Sequence, residues 1–155
     1  MIELHTQAPN FTLFGQDEQA HSLHDYQGQY IVLYFYPRDL TAGCTLQAET
    51  YQDLTAEFTA LNAKVIGISR DTIKRHQKFC ETKGLEFLLL ADPEEDVCHL
   101  YGVMKDKVMY GKAVRGIERS TFIISPTGEI LDIQRNVKAK LDPDATLAKL
   151  KAFHV

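Results

Sequence analysis

Tyr34-Phe35-Tyr36-Pro37-Arg38-Asp39-Leu40-Thr41-Ala42-Gly43-Cys44-Thr45 is the stretch that decides how this chain is read. It opens inside Tyr30–Tyr36, a near-continuous run of apolar, β-branched and aromatic residues that predicts a strand buried on both faces. Pro37 ends the run and a short polar loop follows. From about Ala42 the apolar residues recur at helical spacing. A cysteine is thereby placed in or near the first turn of a helix. Unpaired backbone N–H groups and the positive end of the helix dipole favour a thiolate there over a thiol. The thiolate is the form that attacks, so Cys44 is a candidate nucleophile on local grounds. The competing assignment is a buried cysteine acting as a small hydrophobe.

Before this stretch, the turn residues Pro9-Asn10, Gly15-Gln16-Asp17 and Gln27-Gly28-Gln29 separate two short strand-like pieces, Phe11–Phe14 and Ala20–Leu23. They predict an N-terminal hairpin laid on the main sheet. After it, Tyr51, Leu54, Phe58 and Leu61 carry the helical spacing on to about Asn62. Lys64–Ser69 predicts a second strand, and Asp71 caps a helix that Gly84 ends. Phe87–Ala91 predicts a third strand, and Asp92-Pro93 starts a short helix through about Tyr101. Residues 102–118 show no regular pattern. Ser120–Ser125 and Glu129–Val137 predict two strands joined by Pro126-Thr127-Gly128, and Asp142-Pro143 caps a last helix. No repeat, low-complexity tract or linker interrupts the chain, so one domain is expected over residues 1–155. A hairpin, then alternating strands and helices, then a second hairpin and a helix predict an α/β fold with helices on both faces of a mixed sheet. With a cysteine where the first long helix starts, the natural candidate is a thioredoxin-like fold carrying an N-terminal β-hairpin extension.

The composition narrows the function. A chain of 155 residues with 45% hydrophobic and 25% charged residues suits a soluble globular protein with a real core. The net charge of −4 leaves no basic surplus for a phosphate backbone, so no nucleic-acid partner is expected. Met1-Ile2-Glu3-Leu4-His5 lacks the basic, apolar start of a signal peptide, and the longest apolar run is too short for a bilayer. A cytoplasmic protein without membrane contact is the expectation. Three cysteines, an odd number, argue against a structural disulfide framework and for inert, catalytic or redox-cycling thiols. Cys98-His99 is the one adjacent pair of metal-ligand type, with no Cys-x-x-Cys to support it, so no metal is expected. Six histidines leave a cysteine hydrolase formally open, although His76 and His99 read equally well as half-buried helix residues.

Pro37-x-x-x-Thr41-x-x-Cys44, set between strand and helix, resembles the peroxidatic motif of the peroxiredoxins, specifically the peroxiredoxin Q or bacterioferritin comigratory protein group. Tyr34–Asp39, Leu88–Asp92 and Gly116–Phe122 are similar to further signature segments of that group, so the resemblance runs essentially end to end. It implies a thiol-dependent peroxidase that reduces hydrogen peroxide and organic hydroperoxides without a cofactor. In that case Cys44 would be the peroxidatic thiolate. The Thr41 hydroxyl would bond thiolate and peroxide, Pro37 would shield the sulfur, and Arg119 would stabilise the thiolate and the departing oxygen. The residue types suit those tasks: an arginine keeps its charge when buried, and a hydroxyl can donate to one atom while accepting from another. Taken singly, Arg119 would be a solvated or ion-paired residue, Thr41 a helix cap and Pro37 a strand end.

The sulfenic acid formed on Cys44 must meet a thiol or risk overoxidation. Many members of the group carry the resolving cysteine five residues further on, where this chain has Glu49. A second pattern of the group places it on the following helix, in the context of Phe79-Cys80, so the resemblance implies a Cys44–Cys80 disulfide. Cys80 could instead fill the apolar face it shares with Ile73 and His76, and a disulfide to Cys98 is the alternative pairing. Cysteines on separate helices rarely rest within the ~7 Å between Cα atoms that a disulfide needs, so the turn around Cys44 is expected to unwind. Gln47 departs from the glutamate common three residues after the catalytic cysteine, leaving its partner role open. Thioredoxin or a glutaredoxin system is the expected reductant, and a pair on one chain makes a monomer sufficient. A thioredoxin-type dithiol exchanger, which would want a second cysteine among Thr45–Gln47, and a thiol-bearing chaperone or signalling module are the other classes.

Overall fold

The computed structural model describes residues 2–154; Met1 and Val155, the two ends of the expected domain, lie outside them. One seven-stranded sheet runs in the order β2-β1-β5-β4-β3-β8-β9. Its centre is β3 (Tyr30–Phe35), flanked in parallel by β4 (Ala63–Ser69) and antiparallel by β8 (Ser120–Ile124). A strand enclosed on both faces needs apolar residues at every position, and the period of two divides them cleanly. Ile31, Leu33 and Phe35 enter one core, while Val32, Tyr34 and Tyr36 enter the other. β5 (Leu88–Ala91) extends the parallel part, and β9 (Ile130–Arg135) closes one edge. The expected N-terminal hairpin, β1 (Thr12–Gly15) with β2 (Ala20–Ser22), does not lie across the sheet. It lengthens the other edge by pairing Phe14 and Gly15 with Ala91 and Leu90 of β5.

The helices are unevenly shared between the faces. Cys44, Ala48 and Tyr51 from α1 (Ala42–Asp53), Phe58 from α2 (Thr55–Ala60), Phe79 from α3 (Ile73–Lys83) and Leu147 and Leu150 from α5 (Asp142–Phe153) form one core. The opposite face is covered by the short α4 (Asp96–Leu100), with Tyr101 behind it, and by Ile2, Phe11 and Leu23 of the N-terminal segment.

Several local expectations are corrected. The single helix expected from Ala42 to Asn62 is two, broken at Leu54, whose ψ of 2° leaves the helical range. There the Leu54 N–H is shared between the Thr50 and Tyr51 carbonyls, and the Thr55 hydroxyl donates to the Tyr51 carbonyl at 3.1 Å, a back-bond that bends helices. Residues 102–118 are not irregular: β6 (Met104–Met109) and β7 (Lys112–Ile117) form a separate two-stranded hairpin. Its turn is Tyr110-Gly111, both at positive φ. The cap of α3 is Thr72 and not Asp71, and α4 begins at Asp96 after Glu95 in the left-handed region, later than Asp92-Pro93 suggested. Asp142 is the first residue of α5 and not its cap, because its carboxylate is engaged in the core. Gly84 does end α3, at φ 67°. No helix of the described residues is long and apolar enough to cross a membrane.

Candidate active site

The central strand delivers the site. β3 stops at Phe35, and the Tyr36 N–H still bonds the Ile68 carbonyl, so the chain leaves the sheet at Pro37 from a fixed point. Leu40 turns the loop at φ 65°, and Thr41 enters α1 with extended backbone angles as its N-cap. Cys44 is therefore the third residue of the helix, in the turn whose N–H groups have no helical partner. Only 2% of it is exposed. Pro37 is half-buried at the loop's start.

Arg119 arrives from the far side, from the short link between β7 and β8. Its Nη1 donates to Cys44 Sγ at 3.5 Å and to Gln47 Oε1 at 2.5 Å. Gly43 lies beside it, and a Cβ there would sit 3.4 Å from Arg119 Nη2, in ordinary van der Waals contact. Of the four residues expected around the sulfur, the structure brings Cys44 and Arg119 into direct contact. The Thr41 hydroxyl donates to the Arg38 carbonyl at 2.8 Å and is exposed at the loop surface, with its lone pairs free. Gln47, whose role the residue pattern leaves open, is fully buried and supplies the acceptor that holds Arg119.

Cys80 lies in the second half of α3, half-buried against the same core that contains Cys44, and all three cysteines are free thiols. Burial, and after it the charge of Asp39, pushes the Cys80 thiol up to about 11. It is thus a protonated thiol where it rests. Cys98 is buried on the opposite face, with its thiol raised by burial and by Asp92. The sheet separates it from Cys44, which removes the alternative pairing as a short-range option.

A polar cluster joins the Cys44 loop to α3, and no motif in the chain announces it. Asp39 and His76 are both fully buried. Asp39 accepts from the Tyr36 hydroxyl at 2.5 Å and shares a 2.6 Å hydrogen bond with His76 Nδ1. His76 Nε2 faces the Leu90 carbonyl at 2.9 Å, an acceptor, so it carries a hydrogen, and the bond to Asp39 is made by a second proton. The Asp39 N–H donates to Asp71, and Arg75 spans Asp71 Oδ1 and the Asp39 carbonyl. Asp39, Asp71 and His76 sit close enough to bracket a metal ion, with ligand atoms within 4.8 Å of one another. The carboxylate oxygens, however, already accept from protein donors, both His76 ring nitrogens are engaged by acceptors, and Arg75 supplies the compensating cation. His76, expected as a half-buried helix residue, is the pin of this cluster. The one cue in the sequence is Asp39 itself, an acid inside the motif with no role assigned.

Chemically, the arrangement is a buried sulfur at a helix N-terminus with a guanidinium on one side, and a second thiol held protonated on the neighbouring helix. The AhpC/TSA family model matches residues 4–133. Peroxiredoxin Bcp of Xanthomonas campestris pv. campestris is 45% identical over 131 residues, covering 84% of this chain and 82% of that protein. Peroxiredoxin Bcp of Bacillus subtilis is 43% identical over 150 residues, covering 97% and 96%. Among solved structures, a cysteine-to-serine variant of Xylella fastidiosa PrxQ superposes with a TM-score of 0.95 at 36% identity, over 100% of this chain and 99% of that one. The bacterioferritin comigratory protein of X. campestris, described for its alkyl peroxide reduction activity, superposes with a TM-score of 0.89 at 40% identity, over 94% and 92%. With fold, motif and sequence agreeing along the chain, this protein belongs to the AhpC/TSA family as a peroxiredoxin of the Bcp/PrxQ group.

Proposed function

We propose that the protein reduces hydrogen peroxide and alkyl hydroperoxides at Cys44 and closes its cycle through a Cys44–Cys80 disulfide. The observation that carries the reading is the Arg119 guanidinium 3.5 Å from the buried Cys44 sulfur at the start of α1. The thiolate attacks the terminal peroxide oxygen. An S–O bond forms, the O–O bond breaks, and the alkoxide or hydroxide leaves and takes a proton. Negative charge develops on the two oxygens, where Arg119 and the first N–H groups of α1 are the available donors, and the Thr41 hydroxyl joins them by turning its hydrogen away from the Arg38 carbonyl. Pro37 limits water at the sulfur.

The second step follows from where Cys80 is held. As a protonated thiol it is a poor nucleophile, and it rests on a different helix. Resolution therefore proceeds after the first turn of α1 and the Cys80 segment open. Cys80 then ionises in water, attacks the sulfenic sulfur, forms the S–S bond and expels hydroxide. A dithiol of the thioredoxin or glutaredoxin class reduces the disulfide. A soluble, cytoplasmic monomer needs no further partner for this cycle. His76 is committed to Asp39 and Leu90, which speaks against its acting as the base of a cysteine hydrolase.

The deciding experiment is peptide mass spectrometry after one equivalent of hydrogen peroxide, with free thiols blocked. A Cys44–Cys80 crosslink within one chain is expected. Cys44 left unoxidised overturns the peroxidase reading. Cys44 stopped at sulfenic or sulfinic acid, with Cys80 free, replaces Cys80 with an external thiol.

A further inference from the structure

Arg119 has to meet the sulfur with a hydrogen while being held from behind, and what holds it is an amide. A glutamine side chain has two ends of similar shape and opposite character. Oε1 accepts and Nε2 donates, and Arg119 only donates. Turned over, Gln47 would set its NH₂ against the guanidinium. Nothing in Gln47 itself decides between the two orientations.

The decision comes from the other end of the amide. Gln47 Nε2 donates to Asp142 Oδ2 at 2.9 Å, and both side chains are buried. The same Oδ2 accepts from the Tyr51 hydroxyl at 2.5 Å, while Oδ1 accepts from the Thr146 hydroxyl at 3.1 Å. Tyr51 remains a donor because burial, and then the Asp142 charge, push its ionisation well above the ordinary range. Three donors converge on one carboxylate, the arrangement that suits an ionised, acceptor-only group. The Arg119 nitrogen that reaches Gln47 is also the one that reaches the sulfur, so its two hydrogens are divided between Oε1 and Sγ. We infer that Asp142 is a positioning residue for peroxide reduction: through the amide of Gln47 it holds Arg119 against the Cys44 sulfur. The arrangement also keeps the carboxylate one side chain away from the guanidinium, so Arg119 meets the sulfur without an acid bonded directly to it.

The inference rests on the proposed reaction at Cys44, and the test separates the two. Cys44 oxidation by hydrogen peroxide is followed by stopped flow in the intact protein, apart from disulfide formation. Wild type that consumes no peroxide, or Cys44→Ser that still consumes it, rejects the proposed function. With that reaction present, Asp142→Asn removes the charge and the fixed acceptor at constant size, and Cys44 oxidation slows about tenfold. The exchange Gln47→Glu with Asp142→Asn puts the carboxylate where the amide was and the amide where the carboxylate was. The relocated carboxylate accepts from Arg119 in either orientation, and the Tyr51 and Thr146 hydroxyls can reverse their roles. The exchange returns the rate to within about threefold of wild type. An Asp142→Asn rate equal to wild type, or an exchange no faster than Asp142→Asn alone, overturns the inference. If Asp142→Asn does not fold, Gln47→Met is combined with Arg119→Met. A double variant no slower than Arg119→Met alone supports the relay, and additive losses overturn it.

Discussion

The first turn of α1 and the second half of α3 each present a cysteine to the same core, yet they treat the sulfur in opposite ways. Cys44 meets a guanidinium and unpaired N–H groups. Cys80 meets apolar side chains and the negative charge of Asp39, which keep its proton on to about 11. One site is arranged around an anion and the other excludes it. A two-cysteine cycle gains from the contrast, because the second thiol cannot compete for peroxide, or react early, until its surroundings change. Between the two lies the Asp39–His76 pin, which fastens the loop before Cys44 to the helix that carries Cys80.

The contrast breaks most severely at Arg119. Replacing it with methionine leaves the sulfur without the one charged donor it has among the described residues, and Cys44 oxidation is expected to fall by about 10²–10³, the range for losing a donor at a developing anion. Stopped-flow fluorescence or competition against a reference peroxidase measures it. A fall below fivefold places the charge stabilisation elsewhere. Next comes the pin. His76→Phe keeps a ring in place but leaves the Asp39 carboxylate buried without its proton partner, at a cost of about 3–5 kcal/mol in denaturant unfolding. The same change loosens α3 from the Cys44 loop, leaving the Arg75 bond to the Asp39 carbonyl as the remaining tie, so disulfide formation after oxidation becomes faster even as the fold weakens. A slower disulfide would show that the pin aligns the cysteines instead of holding them apart. Cys80→Ser comes third: turnover with a dithiol reductant drops at least about tenfold, and mass spectra show Cys44 sulfinic acid accumulating with excess peroxide. Undiminished turnover would mean that the reductant attacks the sulfenic acid directly.

What the chain discloses beforehand follows a physical rule. β3 is legible because every one of its positions is packed, so its residues carry an unmistakable apolar run. Cys44 is legible because its environment is local: strand, loop and helix start lie within a dozen residues. The break at Leu54 is not, since two threonine back-bonds leave the apolar spacing intact. The β6–β7 hairpin escapes because its strands are largely exposed, which removes the burial that makes residues alternate. The polar devices are hidden for a different reason. Asp39 and His76 are 37 residues apart and Gln47 and Asp142 are 95 apart, so no window of sequence contains either pair. Asp142 even looks like an ordinary helix cap, because the start of α5 is also the back of the candidate site.

The finest test of the contrast concerns where Cys80 reacts. In the fold its proton leaves only near pH 11, against an ordinary thiol value near 9. If Cys80 attacked from its resting place, disulfide formation after a peroxide pulse would climb tenfold per pH unit up to about 11. If the segment opens first and opening limits the reaction, the thiol ionises once in water, and the rate levels off near pH ~8.5–9, changing less than about twofold above it. The levelling is the expected result. The sign of the linkage agrees with it. A thiol that keeps its proton longer in the fold than out of it lends stability that is complete below pH 9 and is lost as pH rises towards 11. Alkali therefore favours the opened segment by slowing its reclosing, since the ionised thiol must regain its proton to return to the core, and a rate limited by opening is left unchanged. A rate still rising well above pH 9 would mean that opening does not limit the reaction, and the protonated thiol of the resting state would then be the barrier itself.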